Sequence, residues 1–266
     1  MSNFLELIVN NLNALQPEYI WPMMMLAAYG GIVLMVRFFG AAGLYAFIPL
    51  AIIAANIQVL KSVKFSVFDN PVALGTILFS ATYLATDVLN ELYGRAAARK
   101  AVWLSFASYL LFSIFMVINL GYAPLTPEQA GEEMAWNLPY QDYMKAIFLP
   151  APAFFIASMC AFIISQLGEI TIYSWIRGKT GDKHLWLRSN VSTLISALVD
   201  SIVFSVLAWK VFGAGGDMSW NTVIFTYILG TYALRVVVAL LDTPFMYLAR
   251  SWGKQDTVKK TSDVTV

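Results

Sequence analysis

Long apolar stretches separated by short polar junctions recur along the whole chain. They predict helices near residues 20–38, 42–61, 71–93, 99–121, 146–176, 189–212 and 219–249. Crossing a hydrocarbon core takes about 20 residues at 1.5 Å rise each, and these stretches meet that length. Only Arg37 and the glycines Gly40 and Gly43 separate the first two, which predicts a tight hairpin. The fifth and seventh stretches exceed the need. Pro150 and Pro152 mark the start of the true fifth span, and Pro244 marks a kink in the last. Ahead of the first span, Phe4, Leu5, Ile8, Leu12 and Leu15 fall at helical spacing, so residues 1–19 predict a short amphipathic helix on the outer surface. The expected organisation is that segment at 1–19, a single polytopic domain over 20–250, and a polar, flexible tail over 251–266.

Composition agrees with a bilayer. Hydrophobic residues make up 59% and charged residues 12%, against about 25% charged in a soluble domain. Mean hydropathy is +0.67. A net charge of +1 gives no basis for a nucleic-acid partner. Cys160 is the single cysteine, so no intrachain disulfide can form. One Cys and one His (His184) leave no ordinary zinc site, and neither a metal nor another cofactor is expected. The N-terminus lacks the basic region and cleavage site of a signal peptide.

Basic residues orient the spans. Alternate connections carry Arg37; then Arg95, Arg99 and Lys100; then Arg177, Lys179, Lys183 and Arg188; then Arg250, Lys254, Lys259 and Lys260. These are most of the 17 Lys and Arg. The opposite connections carry Lys61, Lys64, Lys145 and Lys210, and Arg235 lies inside a span. The positive-inside rule then places the C-terminus in the cytoplasm and, with seven spans, the N-terminus outside. The loop from Gly121 to Lys145 faces outward; its acids and prolines read as a solvated connection with a short surface helix. Trp103, Trp175, Trp186, Tyr93 and Tyr173 read as the inner aromatic belt, and Trp136, Trp209 and Trp220 as the outer one.

Polar groups inside the spans carry the chemistry. Asp87, Asn90 and Glu91 sit in an otherwise oily helix, at spacings that share one face. A charged side chain at a helix centre costs roughly 2.5–3.5 kcal/mol on the lenient insertion scale. Asn56 lies on the second helix. Ser165, Gln166 and Glu169 share a face of the fifth, and Ser192, Ser196 and Asp200 repeat every four residues on the sixth, which also holds Asn190 and begins with Arg188. Arg235 and Asp242 are two turns apart on the seventh. Stripes from at least four helices converge at similar depth, as in a polar cavity within a bundle. Ser and Thr in spans usually bond their own backbone. Glu91 is near enough to the helix end to be interfacial, or to meet Arg95 or Arg188, and Arg235 with Asp200 makes a structural pair. Even so, Asp87, Glu91, Glu169, Asp200 and Asp242 outnumber the intramembrane bases.

Asparagine and carboxylate signatures at these positions carry a resemblance. Ala55-Asn-Ile-Gln-Val-Leu-Lys61, Thr86-Asp-Val-Leu-Asn-Glu-Leu-Tyr-Gly94, Ser165-Gln-Leu-Gly-Glu169 and Leu185-Trp-Leu-Arg-Ser-Asn-Val-Ser-Thr193 with Asp200 resemble the queuosine precursor transporters, also called the vitamin uptake transporter family. The match covers roughly residues 43–250. It implies a six-helix core like the substrate-binding subunits of energy-coupling-factor vitamin transporters, with residues 20–38 as one added helix. It implies as substrates the 7-deazaguanines preQ0, preQ1 and queuine. Two departures fall at polar positions: Ala197 and Ser201 stand where the family often has Gln and Thr, and Ser189 where it often has Asn.

Such a heterocycle offers adjacent N–H donors and a carbonyl. A carboxylate accepts both donors, an amide serves either role, and an aromatic face stacks on the ring. Glu169 or Asp87 is expected to read the donor edge, with Asn56, Gln166, Asn90 and Asn190 complementing it and Ser192 and Asp200 on the same wall. Glu91, Arg188 and Arg235 are expected to pair structurally. No HExxH, CxxC, Ser-His or Walker arrangement exists, so no catalytic role is expected and the chain has no ATP site of its own. Two alternatives remain open: a substrate-binding subunit needing an ATP-driven partner, and a membrane scaffold whose polar groups only join helices. Glycines of the first two helices could support packing within the chain or in a homodimer.

Overall fold

The computed structural model describes residues 2–66, 72–149, 152–213 and 216–262. Pro150 and residues 263–266 of the expected tail lie outside them. Apart from turns and short connections the described chain is helical, with one two-residue antiparallel ladder in which Ser62 faces Ala73 and Val63 faces Val72. The helices are α1 (Ser2–Asn13), α2 (Pro17–Gln58), α3 (Thr76–Tyr93), α4 (Arg95–Leu120), α5 (Pro127–Met134), α6 (Tyr140–Phe148), α7 (Pro152–Thr180), α8 (Leu185–Ser205), α9 (Trp220–Thr222) and α10 (Thr231–Ser262). The expected surface helix of the 121–145 loop is therefore two helices, α5 and α6, joined by a 3₁₀ turn at Ala135–Asn137. Where a polar tail was expected from residue 251, helix continues to Ser262.

Five helical stretches among the described residues are long and apolar enough to cross a membrane. The first, α2, bends back on itself. Gly40 alone leaves helical geometry, at φ 59° and ψ −139°. A Cβ on Gly43 would lie 2.5 Å from the Met35 carbonyl oxygen, and one on Gly31 would touch the Phe47 ring. Those approaches require two antiparallel limbs meeting at Gly40, the hairpin the glycines predict. Side chains such as Leu111, Phe115, Ile118, Val237 and Leu240 point out of the fold, which suits lipid. These features define an all-α, multi-pass membrane protein.

α3 is too polar to count among the five, and its burial explains how it is tolerated. From Ser80 to Glu91 every residue is buried. α2, α4, α7 and α10 surround it, so its polar groups face protein on all sides. The expected start near residue 71 moves to Thr76, because Gly75 takes a left-handed turn (φ 96°) with its Cα against the Ala55 carbonyl.

Neighbouring passes run in opposite directions, which gathers like junctions. At one end lie Gly40, Tyr93, Arg95, Arg177, Asp182 and Arg250. At the other, the Ser66 N–H donates to Glu18 Oε1 at 2.5 Å, fastening the start of α2 beside the β-ladder, and Lys210 faces Asp217. α8 runs on into a π-helical stretch, Val206–Val211, and α9 reaches α10 through another, Val223–Gly230. Wide turns of this kind are frequent at functional sites.

Candidate functional site

α3 and α7 meet along a polar seam. Residues one turn apart on each helix face one another, as their four-residue spacing dictates. The Tyr83 hydroxyl donates to Ser165 Oγ at 2.9 Å. Beside it, Gln166 Nε2 donates to Thr82 Oγ at 2.9 Å and Gln166 Oε1 lies 3.0 Å from Thr86 Oγ. Glu169 Oε2 lies 3.3 Å from that same hydroxyl. Further on, Asn90 Nδ2 donates to Ser174 Oγ at 3.1 Å and to the Ile170 carbonyl at 3.3 Å.

A cavity of about 410 Å³ opens at the β-ladder end of this seam. Val59, Leu60, Val72 and Leu74, beside the ladder, line it. Asn56, Thr82, Tyr83, Gln166, Asp200 and Arg235 supply its polar wall, and Phe79, Phe162, Phe204, Trp209 and Tyr227 its aromatic wall. The Trp209 and Tyr227 rings are 4.5 Å apart at 38°, one on each π-helical stretch. Asn56 is fixed by the Ile52 carbonyl (2.9 Å) and by Ser158 Oγ, which donates to its Oδ1 at 3.2 Å. Asp200 is ion-paired through Oδ2 with Arg235 Nη1 and accepts from Ser165 Oγ through Oδ1 at 3.1 Å. Ser201 Oγ lies buried on the lining without a hydrogen-bond partner among the described residues. The size is that of small-molecule sites. Aromatic walls with a few fixed amides and one neutralised carboxylate suit a flat, polar heterocycle.

The expected site residues therefore separate. Asn56, Gln166 and Asp200 line the cavity, and so does Arg235. Glu169 and Asp87 lie behind its wall. Glu169, 0% exposed, accepts from Thr193 Oγ at 2.7 Å, and Asp87 accepts from Ser189 Oγ at 2.5 Å. Asn190 donates to the Trp186 carbonyl and to Thr243 Oγ, both at 2.8 Å. Ser192 Oγ lies against the Arg188 and Ser189 carbonyls of its own helix. Asn90 instead borders an open depression at the opposite end, with Arg95, Ser174, Arg177 and Asp182. Glu91 is the centre of an ionic cluster there: Arg188 Nη2 at 2.7 Å, Arg250 Nε at 3.1 Å and Arg177 Nη1 at 3.7 Å.

Two aromatic assignments change. Tyr173 is not an interfacial belt residue. It is fully buried, and its hydroxyl donates to Glu91 Oε2 at 2.8 Å while receiving Arg188 Nε at 3.2 Å. Trp209 faces the cavity rather than the outer interface. Thr82, Tyr83 and Tyr227 are lining residues that sequence reasoning missed. Thr82 and Tyr83 could have been found by extending the Thr86 stripe one turn back, whereas the π-helical phase places Tyr227, and no periodicity signals that.

Residues 73–249 match a family described as "Putative vitamin uptake transporter". A relative from Bacillus subtilis (strain 168), named "Probable queuosine precursor transporter", is 33% identical over 226 residues, which is 85% of this chain and 91% of the relative. No solved structure matches. With the matched region running from the second strand of the β-ladder into α10, and with the relative aligned over most of both chains, this chain belongs to the vitamin uptake transporter family.

Proposed function

We propose that the protein imports queuosine precursors, the 7-deazaguanines preQ0, preQ1 or queuine, across a bacterial or archaeal cell membrane. The observation that carries the reading is the cavity at the β-ladder end of the α3–α7 seam, with Gln166 and Asp200 on its lining. In this reading the two limbs of α2, then α3, α4, α7, α8 and α10 make seven crossings. The first limb is an addition to a six-helix core spanning 43–250, the N-terminus is outside, and the C-terminus is cytoplasmic. The charge distribution supports that orientation, since the Arg-rich junctions share one end.

Asp200 takes the donor edge of the heterocycle, because Glu169 and Asp87 do not reach the cavity. A carboxylate has about four lone-pair sites. Ser165 and Arg235 occupy two, which leaves capacity for adjacent ring N–H groups. Arg235 also neutralises Asp200, so the ring edge of the base enters without meeting an unpaired ion. Gln166 and Asn56 offer the remaining amide groups. Stacking on aromatic side chains such as Phe204, Trp209 or Tyr227 adds about 1–3 kcal/mol by analogy with single-strand nucleic-acid sites.

Uptake of labelled preQ1, or queuosine content of tRNA, in cells dependent on this protein tests the assignment. Gln166→Ala and Asn56→Ala each lower uptake about tenfold at normal expression, the scale of one lost buried hydrogen bond. Unchanged uptake in both removes the cavity from the pathway.

A further inference from the structure

One buried hydroxyl has more neighbours than its single proton can serve. Thr86 Oγ lies 3.1 Å from the Thr82 carbonyl, 2.9 Å from the Tyr83 carbonyl, 3.0 Å from Gln166 Oε1 and 3.3 Å from Glu169 Oε2. A hydroxyl has one O–H and two lone pairs. At least one contact is therefore best made in reverse, with the neighbour donating into Thr86. The two carbonyls and the amide oxygen have no proton to give. Glu169 has one when it is a carboxylic acid.

The surroundings of Glu169 favour that form. It is fully buried, and Thr193 Oγ donates to its other oxygen. The titratable groups that face it are Asp87 and Tyr83 from α3 and Asp242 from α10. α8 contributes Thr193, and on the α4 side Arg95 bonds Thr171 instead. Among the described residues no Lys or Arg forms an ion pair with it. An ionised carboxylate there would be both unpaired and desolvated, which costs several kcal/mol.

Gln166 connects this acid to the cavity. Its Nε2 donates to Thr82 Oγ, which donates to the Phe79 carbonyl at 2.6 Å, and its Oε1 faces Thr86. The network, not the amide's own shape, sets which way the amide points. We propose that Glu169 is the proton-binding residue that couples transport to proton movement, acting on the substrate through Thr86 and Gln166. The proposal rests on the cavity being the substrate site.

In the protonated state the Glu169 O–H donates to Thr86 Oγ, Thr86 donates to Gln166 Oε1, and Gln166 Nε2 donates to Thr82. When Glu169 passes its proton to water, the Thr86 O–H turns to the carboxylate. Its lone pair then accepts from Gln166 Nε2 after a half-turn of the amide, and the Thr82 O–H turns to Gln166 Oε1. Every donor keeps a partner, one proton has left, and the amide groups available to the cavity have exchanged donor for acceptor. A heterocycle with a fixed hydrogen-bonding edge binds one arrangement and is rejected by the other. Glu169 is thus a positioning residue that binds a proton together with the substrate.

The test is calorimetry of preQ0 binding to the purified full chain across the neutral pH range, in buffers of different ionisation enthalpy. The nitrile of preQ0 does not titrate, so proton uptake reports the protein. Wild type takes up protons on binding at alkaline pH, and its affinity falls as pH rises, approaching on the order of tenfold per pH unit for a single linked proton. Glu169→Gln places an N–H where the acid had its O–H. It keeps acid-pH affinity at every pH, takes up no proton, and in vesicles exchanges preQ0 without uncoupler-sensitive accumulation. Thr86→Val, nearly the same shape, severs the relay and flattens the pH profile too. Wild-type binding without proton uptake overturns the proposal, as does a wild-type pH profile in Glu169→Gln. Absence of preQ0, preQ1 and queuine binding by wild type at any pH overturns instead the assignment of the cavity.

Discussion

Glu91 is held by four side chains from three other helices. Arg188 and Arg250 reach Oε1, and Arg177 and Tyr173 reach Oε2. Arg188 is 0% exposed and also donates to the Gly181 and Lys183 carbonyls at 2.9 Å. Glu91→Ala leaves that guanidinium buried without its counter-ion, a loss of about 3–5 kcal/mol. Thermal unfolding in detergent shows it as a large drop in midpoint, whereas Glu169→Gln changes the midpoint little. The sequence already shows acids in excess of intramembrane bases, and Arg188, at the start of the sixth predicted helix, as a partner for Glu91. Arg250 and Tyr173 are not legible in the same way. Hydropathy and charge give a residue's depth, but only the packing of α10 and α7 against α3 gives its neighbours. The same limit separates Glu169 from Gln166: three residues apart on one stripe, they differ by one layer of side chains between cavity and interior.

At the scale of elements, glycine placement decides which helices can approach. Gly43 meets the Met35 backbone across the α2 hairpin, whereas a Cβ on Gly30 of the same helix would meet nothing within 4 Å. Gly43→Ala therefore forces the limbs apart and destabilises by about 1–3 kcal/mol. Gly30→Ala is neutral or stabilising by up to about 1 kcal/mol, since alanine is the better helix former. Guanidinium or heat unfolding of both variants separates the two outcomes. The hairpin was legible because a span-length apolar run, a glycine pair and Arg37 all mark the same junction. The two-residue ladder and the π-helical stretches were not. The ladder is too short for alternation to register, and a π turn shifts side chains to a phase that a 3.6-residue period does not contain. α3 was misleading in a different way, since a helix surrounded by others has no lipid face to reveal.

For the whole molecule, the proposed orientation puts the Arg-rich end in the cytoplasm. Asp142 on α6 and Asp182 beyond α7 are well exposed at opposite ends. In a Cys160→Ser background, Asp142→Cys reacts with an impermeant maleimide in intact cells, and Asp182→Cys reacts only after permeabilisation. The reverse pattern inverts the orientation and with it the direction assigned to the cavity. The fold class was legible from hydropathy alone, whereas the site was legible only as a set of polar stripes. Which of them border open space depends on a cavity that no single helix defines. Equilibrium binding of labelled preQ1 to the purified wild-type protein and to Gln166→Ala addresses that cavity directly. A substrate site there predicts saturable binding to wild type, displaced by unlabelled preQ0 and weakened about tenfold by the substitution. No saturable binding, or equal affinity in the folded variant, contradicts it.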